Sequence, residues 1–187
     1  MTAGVVTVSV PAMSQFHLAK VRRPQDIAEA AVLFREYADW LGIDLSFQGF
    51  EAELASLPGK YAPPTGELML AHAPAGDVLG CVAMRPLAGG AVCEMKRLYV
   101  RPAARGLGIG AALVEAIIGC AQDLGYAEMR LDTLAGMQEA FALYKRFGFI
   151  EIPAYYHNPV PGTVYLGKQL TPRGASCEPL RRAGDHD

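Results

Sequence analysis

The alternating stretch Phe16, Leu18, Lys20, Arg22 predicts a first strand. After Arg23-Pro24-Gln25-Asp26 the period changes. Ile27, Ala30, Ala31, Phe34, Ala38 and Leu41 fall on one face at helical spacing, with Pro in the first turn, an acid behind it and Gly42 at the end. A shorter helix is expected over Phe50–Leu57, then a proline-rich loop from Pro58 to Pro64. Extended runs follow at Glu67–His72, Val78–Pro86 and Val92–Val100, separated by Pro74-Ala75-Gly76-Asp77 and by Gly89-Gly90, which reads as an antiparallel meander of three strands. Ile109, Leu113, Ile117, Cys120 and Leu124 predict a long helix capped by Gly125. A strand at Glu128–Leu134, a helix over about Met137–Phe147 stopped by Gly148, and short strands at Ile150–Ala154 and Val164–Leu170 complete the series.

Strands segregated around a βαβ-like insert argue for an α+β fold, a mixed sheet with helices on both faces. The 187 residues suit one domain, expected over residues 16–170, with a leader at 1–15 and a mobile tail at 171–187. A net charge of −2 offers no global field for a polyanion, so nucleic acid is not an expected partner. With no apolar run of membrane length and no secretion signal at the start, neither is a membrane, and the expectation is a cytoplasmic protein. Cys81, Cys93, Cys120 and Cys177 lack zinc-site or disulfide-framework spacing; they read as reduced thiols, three of them buried, and no metal is expected.

The informative segment runs from Glu94 to Gly110, where a strand enters a basic loop and glycines at alternate positions open a helix. The first amides of a helix lack internal partners and lie at the positive end of its dipole, and glycines let a phosphate approach closely. Arg105 adds charge at the mouth. A P-loop would need Lys-Ser or Lys-Thr after its last glycine, and a dinucleotide fingerprint would need G-x-G-x-x-G where this chain has G-x-G-x-G; both fit poorly.

Arg105, Gly108 and Gly110 match the signature of the GNAT superfamily of acyl-CoA-dependent N-acyltransferases: Gln or Arg, two residues, Gly, one residue, Gly or Ala. Leu98-Tyr99-Val100-Arg101-Pro102 and Ala140 through Phe149 resemble the family's fourth strand and last helix. The resemblance implies a mostly antiparallel sheet of about six to seven strands, splayed between the fourth and fifth, with acetyl-CoA in the gap. It implies that the backbone of Leu98 and Val100, beside Tyr99, pairs with the pantetheine arm. The amides of the stretch Gly106, Gly108, Ile109, Gly110, Ala111 would hold the pyrophosphate. One departure is Met137, where the family often carries an Asn that contacts the cofactor arm; Asp132-Thr133 is a candidate substitute.

Acyl transfer to an amine, whose ammonium has a pKa near 10.4, calls for a base, and the departing thiolate benefits from an acid. The resemblance implies Glu94 as base and Tyr144 as acid. A period of two puts Glu94 on one face with Lys96, Leu98 and Val100, and Cys93 on the other; pairing of Glu94 with Lys96 or Arg97 is the structural alternative. Trp40 and Phe47, and Tyr155-Tyr156 in the later connection, are expected to frame the acceptor pocket, with His157 as an alternative base. The expected function is transfer of acetyl from acetyl-CoA directly to a primary amine of a small molecule or peptide in a ternary complex. A non-catalytic acyl-CoA sensor is the alternative, and a homodimer through strand edges is a further expectation.

Overall fold

The computed structural model describes residues 15–173; the expected leader up to residue 14 and the expected tail from residue 174, with Cys177 and His186, lie outside the described residues. Seven strands form one sheet in the order β1-β2-β3-β4-β5-β7-β6. They are β1 (His17–Lys20), β2 (Glu67–His72), β3 (Val78–Pro86), β4 (Val92–Val100), β5 (Glu128–Leu134), β6 (Ile150–Glu151) and β7 (Thr163–Gln169). The helices are α1 (Pro24–Leu41), α2 (Phe50–Ala55), α3 (Ile109–Asp123) and α4 (Gln138–Arg146). None of the described helices is long and apolar enough to cross a membrane.

The expected meander β2-β3-β4 is present, and every neighbouring pair is antiparallel except β4 and β5. That pair is parallel because the chain crosses from one to the other through α3. Element ends differ where proline intervenes. Helix α2 stops at Ala55 rather than Leu57, because the residue before Pro58 is driven out of helical geometry. Strand β6 ends before Pro153, which has no amide to give; Ile152 makes the last bond, to the Tyr165 carbonyl at 3.0 Å.

Two apolar layers sandwich the sheet. On one side Leu33 and Phe34 of α1 cover Leu68, Leu70, Cys81, Ala83 and Tyr99. On the other, Ile109, Leu113 and Ile117 of α3 cover Val82, Met84, Cys93, Met95, Met129 and Leu131. Cys81 and Cys93 are fully buried and Cys120 is half-buried.

Two irregularities position the site. Lys96 faces Ala83 across the ladder while Tyr99 faces Cys81, so Arg97 and Leu98 together oppose Val82 alone. This is a β-bulge, with Arg97 in the left-handed region at φ 58°. It corrects the expectation that Glu94, Lys96, Leu98 and Val100 share a face. Glu94 and Lys96 look toward the α1 side, whereas Leu98 and Val100, one step out of phase, pack with the α3 layer beside Cys93 and Met95. The strain is held by Glu53, whose carboxylate takes the Arg97 Nε at 2.8 Å and Nη2 at 3.2 Å, with Phe50 and Phe34 against the guanidinium. The second irregularity is the expected fork. β4 and β5 pair only over Val92–Glu94 and Glu128–Arg130, while β5 stays zipped to β7 as far as Leu134.

Candidate active site

The fork opens onto a groove of about 1040 Å³ running between the start of α3 and the start of α4. Leu98, Tyr99, Val100, Arg105, Gly106, Gly108, Ile109, Gly110 and Ala111 all line it. Gly106 and Gly108 have φ of 82° and 80°, and a Cβ on either would meet nothing within 4 Å. Backbone conformation, not packing, therefore demands glycine there, and it leaves the loop open. Ala112 is the first residue of α3 to close a helical bond, onto the Gly108 carbonyl at 3.0 Å, so the amides of Ile109, Gly110 and Ala111 precede the ladder at the groove wall. The Arg105 guanidinium carbon lies over Trp40, 4.7 Å from its ring centre, and its Nε donates to the Val100 carbonyl at 3.2 Å.

Trp40 is thus placed differently from expectation. The last turn of α1 carries it over Tyr99, 6.2 Å between rings, and it lines the groove rather than the chamber described next. The groove fits coenzyme A in three respects: a length of β4 edge without a partner strand, an amide cluster at a helix start, and open space over two glycines. Met137 brings no side-chain amide, its sulfur accepting from the Thr133 hydroxyl at 3.9 Å, and Asp132 and Thr133 line the inner chamber and not the groove.

That inner chamber, about 80 Å³, meets the groove at Leu98, Met137 and Ala140, which line both. Tyr144 projects into it from α4, packed edge-on against Phe149 at 5.9 Å between ring centres. Its hydroxyl has no hydrogen-bond partner among the described residues. Burial pushes the phenol above its ordinary pKa, so it stays protonated at neutral pH. The polar wall is made by Lys96, Asp132 and Asn158. Lys96 Nζ donates to Asp132 Oδ1 at 2.8 Å and Asn158 Nδ2 to Oδ2 at 3.3 Å. Burial works to raise the Asp132 carboxyl, but Lys96 more than offsets it, and the group lies below the usual carboxylate range.

Glu94 sits behind this wall rather than in it. It is fully buried; Arg85 donates Nε to Oε2 at 2.7 Å with Nη2 in ion-pair contact at 2.6 Å, and the Tyr155 hydroxyl donates to Oε1 at 2.7 Å. Of the two expected partners, Lys96 forms a longer ion pair with Oε1 at 3.9 Å, while Arg97, turned by the bulge, belongs to Glu53. Phe47 lines the chamber as expected, Tyr156 and the exposed His157 line a neighbouring cavity, and Tyr155 lines neither. Sequence reasoning missed Lys96 as a wall residue, placed Gln48 and Asn158 only within the two loops expected to frame the acceptor pocket, and read Asp132 only as a contact for the cofactor arm. The available signals were a cluster of charged residues, Glu94, Lys96 and Arg97, inside a buried strand and an aspartate at the outward phase of β5.

A parallel strand pair forked over a glycine-lined groove, with a small polar chamber at the fork, defines an acyl-CoA-dependent transferase. The comparisons agree. A family model described as acetyltransferase (GNAT) domain matches residues 64–151. The chain is 45% identical to an uncharacterised N-acetyltransferase of Schizosaccharomyces pombe, over 84% of this chain and 97% of that protein. It is 32% identical to another from Dictyostelium discoideum, over 72% of this chain and 90% of that protein. A crystal structure of an acyl-CoA N-acyltransferase from Klebsiella pneumoniae aligns with a TM-score of 0.65 at 26% identity, covering 84% of this chain and 99% of that one. The chain belongs to the GNAT superfamily; it is an N-acetyltransferase.

Proposed function

We propose that this enzyme moves the acetyl group of acetyl-CoA directly to a primary amine of a small molecule or peptide, both substrates being held at once. The observation that carries the reading is the junction of groove and chamber at Leu98, Met137 and Ala140, with the Tyr144 hydroxyl unpaired beside it. When bound, acetyl-CoA supplies an acyl thioester, activated toward an amine. The free amides of Ile109 to Ala111 and the Arg105 guanidinium bind its diphosphate, Arg105 releasing the Val100 carbonyl to do so. The β4 edge at Leu98 and Val100 then receives the amide-bearing arm in strand fashion.

Asp132, ionised and in the chamber wall, holds the acceptor ammonium and takes its proton, the role expected of Glu94. Glu94 acts one step behind, fixing Arg85 and Tyr155. The Tyr144 hydroxyl donates a proton to the leaving sulfur. Direct transfer is supported by the thiols: burial pushes Cys81 and Cys93 up to about 12, leaving neither ionised for attack. The test is thiol release from acetyl-CoA with a panel of amines. Amine-dependent release is expected; tight acetyl-CoA binding without turnover on any amine would instead make the protein an acyl-CoA sensor.

A further inference from the structure

Beside the inner chamber lies a second cavity of about 200 Å³, bounded by the turn before α2, the loop after it, β3, β4 and the β6–β7 connection. Phe47, Gln48 and Lys96 line both spaces, so the two adjoin across a common wall. The second cavity has three cations in its lining, Lys60, Arg85 and Lys96, against one carboxylate, Glu53. That carboxylate is already engaged by Arg97 through two bonds, at 2.8 and 3.2 Å, and Lys60 reaches it only at 3.3 Å. Arg85 donates Nε to Glu94 Oε2 and holds Nη2 in ion-pair contact with the same oxygen, and its Nη1 has no partner among the described residues. Lys60 and Arg85 thus bring positive charge and unspent donors to one end of the cavity.

At the common wall the deficit is opposite. Gln48 Oε1 is buried and accepts no hydrogen bond. A buried acceptor left unpaired keeps its full desolvation cost, which a ligand bringing a donor would recover. Beyond it, in the inner chamber, stands the Asp132 carboxylate. The wall therefore asks for an N–H at the fork side and for negative charge at the far side. A neutral monoamine satisfies only the first.

Resting on the acetyltransferase reading above, we infer that the acceptor is a small primary amine bearing its own anionic group, carboxylate or phosphate. Its ammonium lies at Gln48 and Asp132, and its anion lies between Lys60 and Arg85. Lys60 and Arg85 are specificity residues for the acceptor and do not touch the reacting atoms.

The test uses the full chain and matched acceptors: L-amino acids against their carboxamides, and phosphoethanolamine against ethanolamine. Each is read as kcat/KM from thiol release and as Kd by calorimetry with coenzyme A present. An anionic acceptor is expected to exceed its neutral partner by about tenfold or more, the scale of a charge-assisted hydrogen bond. Preference confined to amino acids assigns carboxylate, and preference confined to phosphoethanolamine assigns phosphate. Lys60→Met should cut the preference about tenfold through KM, while Arg85→Lys, which keeps the charge over Glu94, should cut it less. Neutral amines acetylated as well as anionic ones would overturn the inference and leave the acetyltransferase reading intact. Lys60-dependent binding of anionic amines without turnover would remove the transferase reading and keep the cavity's assignment. Neither turnover nor binding would remove both.

Discussion

The groove and the inner chamber are built by different means. Residues 98–111 supply much of the groove, most of it as main chain: an unpaired strand edge, amides at a helix start, glycines whose conformation leaves the loop open. The chamber is a side-chain object, assembled from α1, the following turn, β4, β5, α4 and the β6–β7 connection, and lined by ionised groups held in pairs. A main-chain site tolerates change in side chains but not in backbone conformation. A side-chain site has the opposite sensitivity.

The largest effect that would break or support this contrast is expected at Tyr144. Tyr144→Phe keeps the packing against Phe149 and removes only the hydroxyl, and should lower kcat by about 10²–10⁴ with little change in KM for acetyl-CoA. Unchanged turnover would take the hydroxyl out of the chemistry. Next is the support beneath the chamber. Glu53→Ala leaves Arg97 charged and buried without its partner, for a loss of about 3–5 kcal/mol in a denaturant titration. A loss under about 1 kcal/mol would mean the bulge holds itself.

The paired carboxylates also set a pH dependence. For Glu53 and Glu67 burial acts to raise the carboxyl, but the bonded arginines outweigh it and both lie below the ordinary range. Their stabilisation is complete above the unfolded value, near 4.3, and is lost as pH falls through the lower folded values. The melting temperature should therefore drop steeply below about pH 4, and a flat profile down to pH 3 would contradict the pairing.

Asp132 and Glu94 separate the wall from what stands behind it. Asp132→Asn should reduce kcat/KM about 10²-fold and change the rise of the pH–rate profile, whereas Glu94→Gln should cost less and leave that limb in place. The reverse ranking would return the base role to Glu94. The smallest effect is expected in the groove. Gly108→Ala finds ample space but forces a left-handed conformation, costing about 1–2 kcal/mol and raising KM for acetyl-CoA with kcat nearly unchanged. A variant with wild-type stability and KM would deny that the turn is needed in this form.

How much was legible follows the same division. The segment from Arg105 to Ala111 is local, so strand, loop and helix start could be read in order, and each residue named from it lines the groove. Phe47 and Tyr144 were also found where expected, on the chamber wall. Trp40 was not, because which side of the fork the end of α1 reaches depends on packing over Tyr99, a contact between residues 59 positions apart in sequence. The shorter-range Glu94 partner was missed for a related reason: Arg85 comes from the neighbouring strand, and its register opposite Glu94 is a property of the sheet.

Periodicity, turn residues and the glycine spacing by themselves determined the elements, their order, the mixed sheet and the glycine-opened helix start, since all of these depend on neighbours within a few residues. Only the tertiary structure decided which face each half of β4 presents. One extra residue at the bulge inverts the alternation, and that insertion is stabilised by Glu53, 44 positions earlier in the chain. A period of two carries no record of a phase slip whose energy comes from a distant ion pair.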